Sequence, residues 1–164
     1  MNIFRDSQDY SNFLKRVRLV LNLSRMPLVR EKIRITPLPK DAIHILGYVL
    51  MPNHFHFIIK QNQEITPSKF IHKLCTSYAM YFSNKYSHVG HLFQDQFKAI
   101  NVSTDQQLLW LLRYIHMNPI KSGIAKNISS YQWSSYIEYR DNISDICQKD
   151  ILSRGILEDF KDAP

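Results

Sequence analysis

Two histidines, His54 and His56, stand one residue apart in an otherwise apolar segment that is typical of a β-strand. Side chains on a strand alternate between its two faces, so we expect both imidazoles on one face and Phe55 and Phe57 on the other. Imidazole is a common metal ligand, and two imidazoles on a rigid strand make half of a metal site. A hydrogen-bonded histidine pair on an exposed sheet face would give the same pattern, so both interpretations stay open at this point.

A second pair of polar residues, Tyr114 and Asn118, lies in a segment whose apolar periodicity predicts a helix. Residues four apart lie one turn apart on the same helix face, so the tyrosine and the amide are expected side by side. Because Asn118 precedes Pro119, it is expected at or just beyond the end of the helix. A phenol with an ordinary pKa of about 10 needs a nearby cation or base to act as a nucleophile at neutral pH.

These two segments belong to a longer series of motifs in a fixed order. The series is Met51–His56, Gly90–Gln94, Phe97–Ala99, Tyr114–Pro119 and Tyr131–Tyr136. In this order the motifs closely resemble the signatures of the HUH-type single-tyrosine transposases, and in particular the REP-associated tyrosine transposase branch of the IS200-like transposases. The resemblance runs from about Ile3 to Tyr139.

The resemblance implies cleavage and rejoining of single-stranded DNA. In that reaction a tyrosine oxygen attacks a phosphodiester, forms a 5′-phosphotyrosine bond and releases a 3′-hydroxyl. By this resemblance Tyr114 is the nucleophile, and His54, His56 and the side-chain oxygen of Asn118 hold one divalent cation. Such a mixed nitrogen and oxygen ligand set suits Mg²⁺ or Mn²⁺ better than structural zinc. The expected partner is hairpin or repeat-associated single-stranded DNA, and the expected assembly is a monomer or a homodimer.

Basic and aromatic side chains outside the two motifs could hold the DNA strand. The candidates are the cations Lys98, Arg113, Lys121, Lys69 and Lys73, with Phe93 as a ring on which a base could stack. Each of them could also be a solvated cation or a core aromatic. The formal net charge of +7 favours a polyanion partner, since residues 1–40 hold nine Lys and Arg against three Asp and Glu. Residues 141–164 hold three Lys and Arg against six Asp and Glu, so their charge balance is reversed.

The implied fold class is α+β, with a ferredoxin-like HUH nuclease core in which helices pack on a mostly antiparallel central sheet. Relatives begin with a strand before the segment that resembles Ile3–Asp6, and this sequence starts after that strand. Either the start is truncated, another segment or a partner chain fills the gap, or the sheet is rearranged. This departure favours the alternative function of a non-catalytic or domesticated DNA-binding protein derived from such a transposase. A zinc hydrolase that uses His54 and His56 would lack the usual third histidine or carboxylate.

Three helices and a hairpin are predicted to position these residues. Ser7 is expected to cap a helix that runs to about Leu23, and Thr66–Pro67 to begin one that runs to about Tyr86. Thr104 or Asp105 is expected to cap the helix of Tyr114. The remaining predicted elements are a strand at Ala42–Leu50, a turn at Met51–Asn53, a short strand at Phe97–Val102, and either an edge strand or a loop at Lys32–Ile35.

The composition is that of one globular domain. The 164 residues, 45% of them hydrophobic, are expected to form a domain over residues 1–140 and an acidic, partly helical tail over residues 141–164. The sequence has neither a run long enough to cross a membrane nor an apolar signal-peptide region, so the cytoplasm is the expected location. Cys75 and Cys147 are expected to be buried thiols rather than a disulfide.

Overall fold

The computed structural model of the chain describes residues 1–23 and 35–152. Its elements, in chain order, are α1 (Ser7–Val20), β1 (Ile43–Met51), β2 (His54–Gln61), α2 (Pro67–Tyr86), α3 (Asp105–Lys121) and α4 (Tyr136–Arg140), with short 3-10 turns at Ile128–Ser130 and Lys149–Ile151. Within these residues the two strands form one antiparallel hairpin, so the α+β class is confirmed. No described helix is long and apolar enough to cross a membrane.

The chain divides into two compact units, which we describe separately. The hairpin unit comprises Met1–Asn2, Ile45–Lys60 and the chain from Ala99 onward. The helical unit comprises Ile3–His44 and Gln61–Lys98. The proposed nucleophile and all three proposed metal ligands belong to the hairpin unit.

In the helical unit, α1 and α2 enclose an aromatic core that includes Phe4, Phe13 and Tyr78. The Thr66 cap of α2 is confirmed, but Asp6 rather than Ser7 caps α1, since the Asp6 carboxylate accepts the backbone N–H of Asp9. Both residue types are good caps, and here the Asp6 carboxylate also binds the Lys85 ammonium at 2.8 Å. The Asp6 carboxylate thus serves both as the cap of α1 and as a partner of a charged residue on α2.

In the hairpin unit, β1 is buried along its whole described course, and both of its edges are paired. One edge pairs with β2. On the other edge the backbone N–H of Leu50 donates to the Trp133 carbonyl, and that of Ser135 donates to the Tyr48 carbonyl. Farther along, the backbone N–H of Gln148 donates to the Ile45 carbonyl. In the described chain, backbone groups of Trp133, Ser135 and Gln148 thus pair with the second edge.

A glycine in β1 allows α3 to approach the sheet closely. A Cβ atom at Gly47 would lie 2.8 Å from Cδ2 of Leu112 and 3.3 Å from Cδ1 of Ile115, and both of those residues are buried. Cβ atoms essentially never come so close to a neighbour, so a larger residue at this position would push the helix or its side chains away. The absence of a side chain at Gly47 therefore sets the depth at which α3 lies.

One predicted strand and one predicted helix end are wrong, and another predicted strand lies mostly outside the described residues. Phe97–Val102 forms no strand, because the described sheet contains only β1 and β2 and gives this segment no partner. Asn118 is not at the helix end, since α3 continues through Pro119 to Lys121. Proline at position 119 removes one backbone donor from the helix, and beyond it the Ser122 N–H donates to the Asn118 carbonyl. Of the segment Lys32–Ile35, only Ile35 is described, and it is not in a strand.

Both cysteines are free thiols, as the sequence indicated. Cys147 is buried, whereas Cys75 is half-buried. Burial raises the pKa of the Cys75 thiol to about 12 and also raises that of Cys147. Both thiols are therefore protonated at neutral pH and are poor ligands and nucleophiles.

Candidate functional site

Strand β2 presents both histidines on the face of the hairpin that α3 covers. The ring centroids of His54 and His56 lie 5.0 Å apart. Ile58, the next residue on that face, lies 3.6 Å from the Cβ position of Gly47, where α3 packs. Phe57 lies on the opposite face, with its ring 6.3 Å from that of Tyr48. The predicted alternation of the strand is therefore confirmed.

The two imidazoles are available as ligands at neutral pH. Burial lowers the pKa of His54, and burial together with the nearby His54 lowers the pKa of His56. Both rings are therefore neutral at pH 7. Nδ1 of His54 lies 2.7 Å from Oδ1 of Asn53. Because an amide oxygen only accepts, Nδ1 must carry the proton, and the Nε2 lone pair of His54 is left to bind a ligand.

Tyr114 lies on the exposed flank of α3, close to the second histidine. Its ring centroid is 6.5 Å from that of His56, and 37% of the residue is exposed. The Lys121 ammonium lies 5.1 Å from the centroid of the Tyr114 ring. The same helix buries Leu112 and Ile115, which fix the side from which Tyr114 projects. Tyr114 is thus not a buried structural tyrosine, and a substrate could reach it.

Asn118 lies one turn after Tyr114 and has unmet hydrogen-bonding capacity. Its Nδ2 atom is shielded from solvent and has no hydrogen-bond partner within the described part of the chain. A buried N–H donor without a partner costs roughly 1–3 kcal/mol, so it indicates a place for a water molecule or another acceptor, whereas a cation would bind the Oδ1 atom of the same amide. Because α3 continues past Pro119, Asn118 keeps the helical position that places it on the face of Tyr114.

A histidine-rich or acidic metal site is not formed by the described residues. Among residues 1–23 and 35–152, no group of three or more His, Cys, Asp or Glu side chains could hold a metal ion. A zinc hydrolase built on His54 and His56 therefore lacks its third ligand in this part of the chain. A third ligand to this pair would come from another residue type, and the Asn118 amide is of a suitable kind.

The motif Tyr131–Tyr136 has a structural role that sequence reasoning missed. The Ser135 hydroxyl accepts the backbone N–H of Tyr48 at 2.8 Å, and it lies 2.7 Å from Nε2 of the buried His116. His116 belongs to α3, two residues after Tyr114. Ser135 therefore links β1 to the helix that carries the proposed nucleophile. In the sequence, the only indication of this role is that the motif follows the helix of Tyr114.

Protein stability is expected to fall as the pH drops below neutrality, because His116 is buried as a neutral ring. Burial lowers the pKa of His116 to about 3, whereas an unfolded histidine has a pKa of about 6.5. Between these values the unfolded chain binds the extra proton, so the free energy of unfolding falls by up to about 1.4 kcal/mol per pH unit. Urea denaturation at pH 7, 6, 5 and 4 measures this slope.

The variant His116→Gln serves as the control for that slope. His54 and His56, whose pKa values are also lowered, contribute to the slope in the same direction and are unchanged in this variant. The difference between the two proteins therefore isolates His116. The variant should be less stable at pH 7 and lose less stability on acidification. Equal slopes in the two proteins would contradict a neutral, buried His116.

The proposed DNA-binding residues are divided between the two units. Arg113 and Lys121 are exposed on α3 in the hairpin unit. Lys69 and Lys98 are exposed in the helical unit, where the Lys73 ammonium donates to the Thr36 carbonyl. The half-buried Phe93 packs in that unit too, with its ring 6.4 Å from that of Tyr78. Only Arg113 and Lys121 therefore share a unit with Tyr114.

Comparison with known proteins gives one family match. The family model described as "Transposase IS200 like" matches residues 25–118. The matched segment covers more than half of the 164 residues, contains His54, His56 and Tyr114, and ends at Asn118. No curated protein and no solved structure matches the chain.

Proposed function

The chain belongs to the IS200-like transposase family, and we propose that it cleaves and rejoins single-stranded DNA with Tyr114 as the nucleophile. Family membership supports a DNA-processing enzyme in general. The specific proposal rests on one observation, which is that the exposed Tyr114 ring lies 6.5 Å from the ring of His56 within the hairpin unit. The REP-associated branch stays a prediction, as does the hairpin form of the DNA.

The proposed reaction exchanges one phosphodiester for another. The phenolic oxygen of Tyr114 attacks the phosphorus atom, the bond from phosphorus to the 3′ oxygen breaks, and the 3′ oxygen leaves as a hydroxyl group. The phenol proton passes to solvent, and the leaving oxygen takes up a proton. The 5′-phosphotyrosine bond keeps the energy of the original bond, so a 3′-hydroxyl can reverse the step. No oxidant or nucleotide cofactor is consumed.

Residues of α3 would guide the DNA strand to Tyr114. The Lys121 ammonium lies 5.1 Å from the centroid of the Tyr114 ring, where a cation can also attract the phosphate under attack. Arg113 is exposed on the same helix and could contact a neighbouring phosphate. Both side chains are on a rigid element, which limits the positions that a bound phosphate can take.

The residues around Tyr114 fit a divalent cation. Two neutral imidazoles and the side-chain oxygen of an amide form a mixed set that suits Mg²⁺ or Mn²⁺. His54, His56 and the Asn118 side-chain oxygen would hold the ion. When bound, the ion would act as a Lewis acid that withdraws charge from the scissile phosphate and orients it.

A covalent-adduct assay tests this proposal. The product would keep the DNA on the 3′ side of the cut, so the oligonucleotide must be labelled at its 3′ end. Incubation with Mn²⁺ followed by denaturing electrophoresis should give a labelled band at the mass of the protein plus the retained DNA. DNA binding without any adduct would instead favour a non-catalytic DNA-binding protein derived from a transposase.

Binding of single-stranded DNA is expected to weaken with salt, with a log–log slope of about −0.7 per neutralised phosphate. Lys121→Gln or Arg113→Gln should each make that slope less steep by the value of about one phosphate contact. Lys98→Gln tests the helical unit in the same way. The matched control is Lys126→Gln, an exposed lysine beyond the end of α3. Titrations of one oligonucleotide at several salt concentrations give the slopes. A salt-independent affinity would show that the positive charge is only a solvated surface.

A further inference from the structure

We propose that Trp110 is a stacking platform for one base of the bound single-stranded DNA, next to the position where the backbone is cut. This inference rests on the proposed function, because it takes single-stranded DNA as the ligand. It adds a residue that fixes the path of the strand, and that residue belongs to neither the histidine motif nor the tyrosine motif.

The ring of Trp110 is stacked on Tyr114 and is open to solvent. The two ring centroids lie 5.1 Å apart, and the ring planes differ by 12°. Although Tyr114 covers part of the indole, 60% of Trp110 is exposed. A large aromatic side chain normally buries most of its surface, so this ring leaves much apolar area available to a ligand.

Charge and spacing along α3 favour a nucleic-acid base as that ligand. On an ideal helix, Trp110, Tyr114 and Lys121 lie on one stripe, because residues four and eleven apart return to nearly the same face. The Lys121 ammonium lies over the Tyr114 ring, and Arg113 is exposed three residues after Trp110. Aromatic rings beside cations are the usual means of binding single strands, since the rings stack on bases and the cations hold phosphates.

The stack also indicates which nucleotide is bound. Tyr114 is the inner layer of the pair, and its oxygen must reach the scissile phosphorus. A base on the outer face of Trp110 would therefore belong to a nucleotide within about two positions of that phosphate. Because every base has a flat face, this contact should depend little on base identity.

A double-mutant cycle between the protein and the DNA tests this proposal. Oligonucleotides that each carry one abasic site are titrated in EDTA, which prevents metal-dependent cleavage. Wild-type protein should lose about 5- to 100-fold in affinity when the abasic site falls at one particular position near the cut. Trp110→Leu should show a similar loss on intact DNA and no further loss at that abasic position. Trp110→Phe should keep most of the affinity loss that the abasic site causes in the wild-type protein.

Tryptophan fluorescence gives an independent measurement. The chain has two tryptophans, and Trp133 contributes its backbone to the edge of β1. DNA should quench the wild-type emission, and Trp110→Phe should lose that quenching. Ile143→Ala, which removes an exposed apolar side chain elsewhere in the hairpin unit, should leave both affinity and quenching unchanged.

The outcomes separate this inference from the proposed function. If the abasic site lowers DNA affinity by the same factor in wild type and in Trp110→Leu, the platform is overturned. A Trp110→Leu variant with unchanged affinity and slower adduct formation at saturating DNA would also overturn it, because Trp110 would then only support Tyr114. The third outcome is that Trp110 and the base at one position are coupled in binding but no covalent adduct forms with any metal ion. That outcome would support the platform and overturn the cleavage proposal instead.

Discussion

Replacement of Tyr114 by phenylalanine is expected to abolish the covalent protein–DNA adduct while leaving the fold and DNA affinity nearly unchanged. The substitution removes one oxygen from a side chain that is 37% exposed, and it preserves the ring that stacks on Trp110. Without that oxygen the chain has no nucleophile at this position, so the loss should be complete rather than partial. Denaturing electrophoresis with 3′-labelled DNA measures the adduct, and a binding titration measures the affinity.

The matched control is Tyr136→Phe. Tyr136 is half-buried in the same unit, with its ring 6.1 Å from that of His116. This variant should keep the adduct. Retention of the adduct in Tyr114→Phe, or its loss in both variants, would remove Tyr114 from the mechanism.

Substitution of either histidine of β2 is expected to have the second largest effect. His54→Ala and His56→Ala should each reduce adduct formation by at least roughly 10- to 100-fold, which is the loss typical when a residue that only supports a metal ligand is replaced. Both should also weaken Mn²⁺ binding, because each removes one of the two neutral imidazoles on that face. Calorimetric titration with Mn²⁺ in the absence of DNA measures the metal affinity separately from activity.

Two further variants control for unfolding and for nonspecific metal binding. Phe55→Ala alters the other face of β2, where the residue is half-buried, so it should lower stability by less than the about 3–5 kcal/mol of a fully buried phenylalanine. It should leave Mn²⁺ binding unchanged. His72→Ala removes an exposed imidazole from the helical unit and should change neither property. Unchanged Mn²⁺ affinity in both His54→Ala and His56→Ala would rule out the proposed ligands.

Local patterns in the sequence were sufficient for the elements that carry the site. The period of two in His54–Phe57 assigned the histidines to one face, and Thr66 was identified as a cap by residue type and position. For the helix of Tyr114 the same signals narrowed the cap to Thr104 or Asp105, and Thr104 is the cap. The apolar residues of its helix form one face, and their spacing predicted that Tyr114 lies beside that face. Each of these features depends on residues within a few positions of one another, which is the range over which helix and strand periodicity acts.

The features that were missed depend on contacts between distant parts of the chain. The bond from Tyr48 to Ser135 joins residues 87 positions apart, and no local pattern predicts it. Phe97–Val102 was predicted to be a short strand but is not in one, because a strand also needs a neighbour with which to pair. The helix continues through Pro119 although the residue before proline usually leaves the helical region. Tertiary packing overrides the local preference there, since Pro119 is buried.

The most direct test of the account is to identify the residue that becomes bonded to DNA. Adduct formed with Mn²⁺ and single-stranded DNA is digested with nuclease and trypsin, and the peptides are sequenced by mass spectrometry. Trypsin cleaves after Arg113 and Lys121, so the account predicts that the peptide Tyr114–Lys121 carries a nucleotide linked through its 5′ phosphate to Tyr114. A nucleotide on any other residue, or no linked peptide under conditions in which the protein binds DNA and Mn²⁺, would contradict the account.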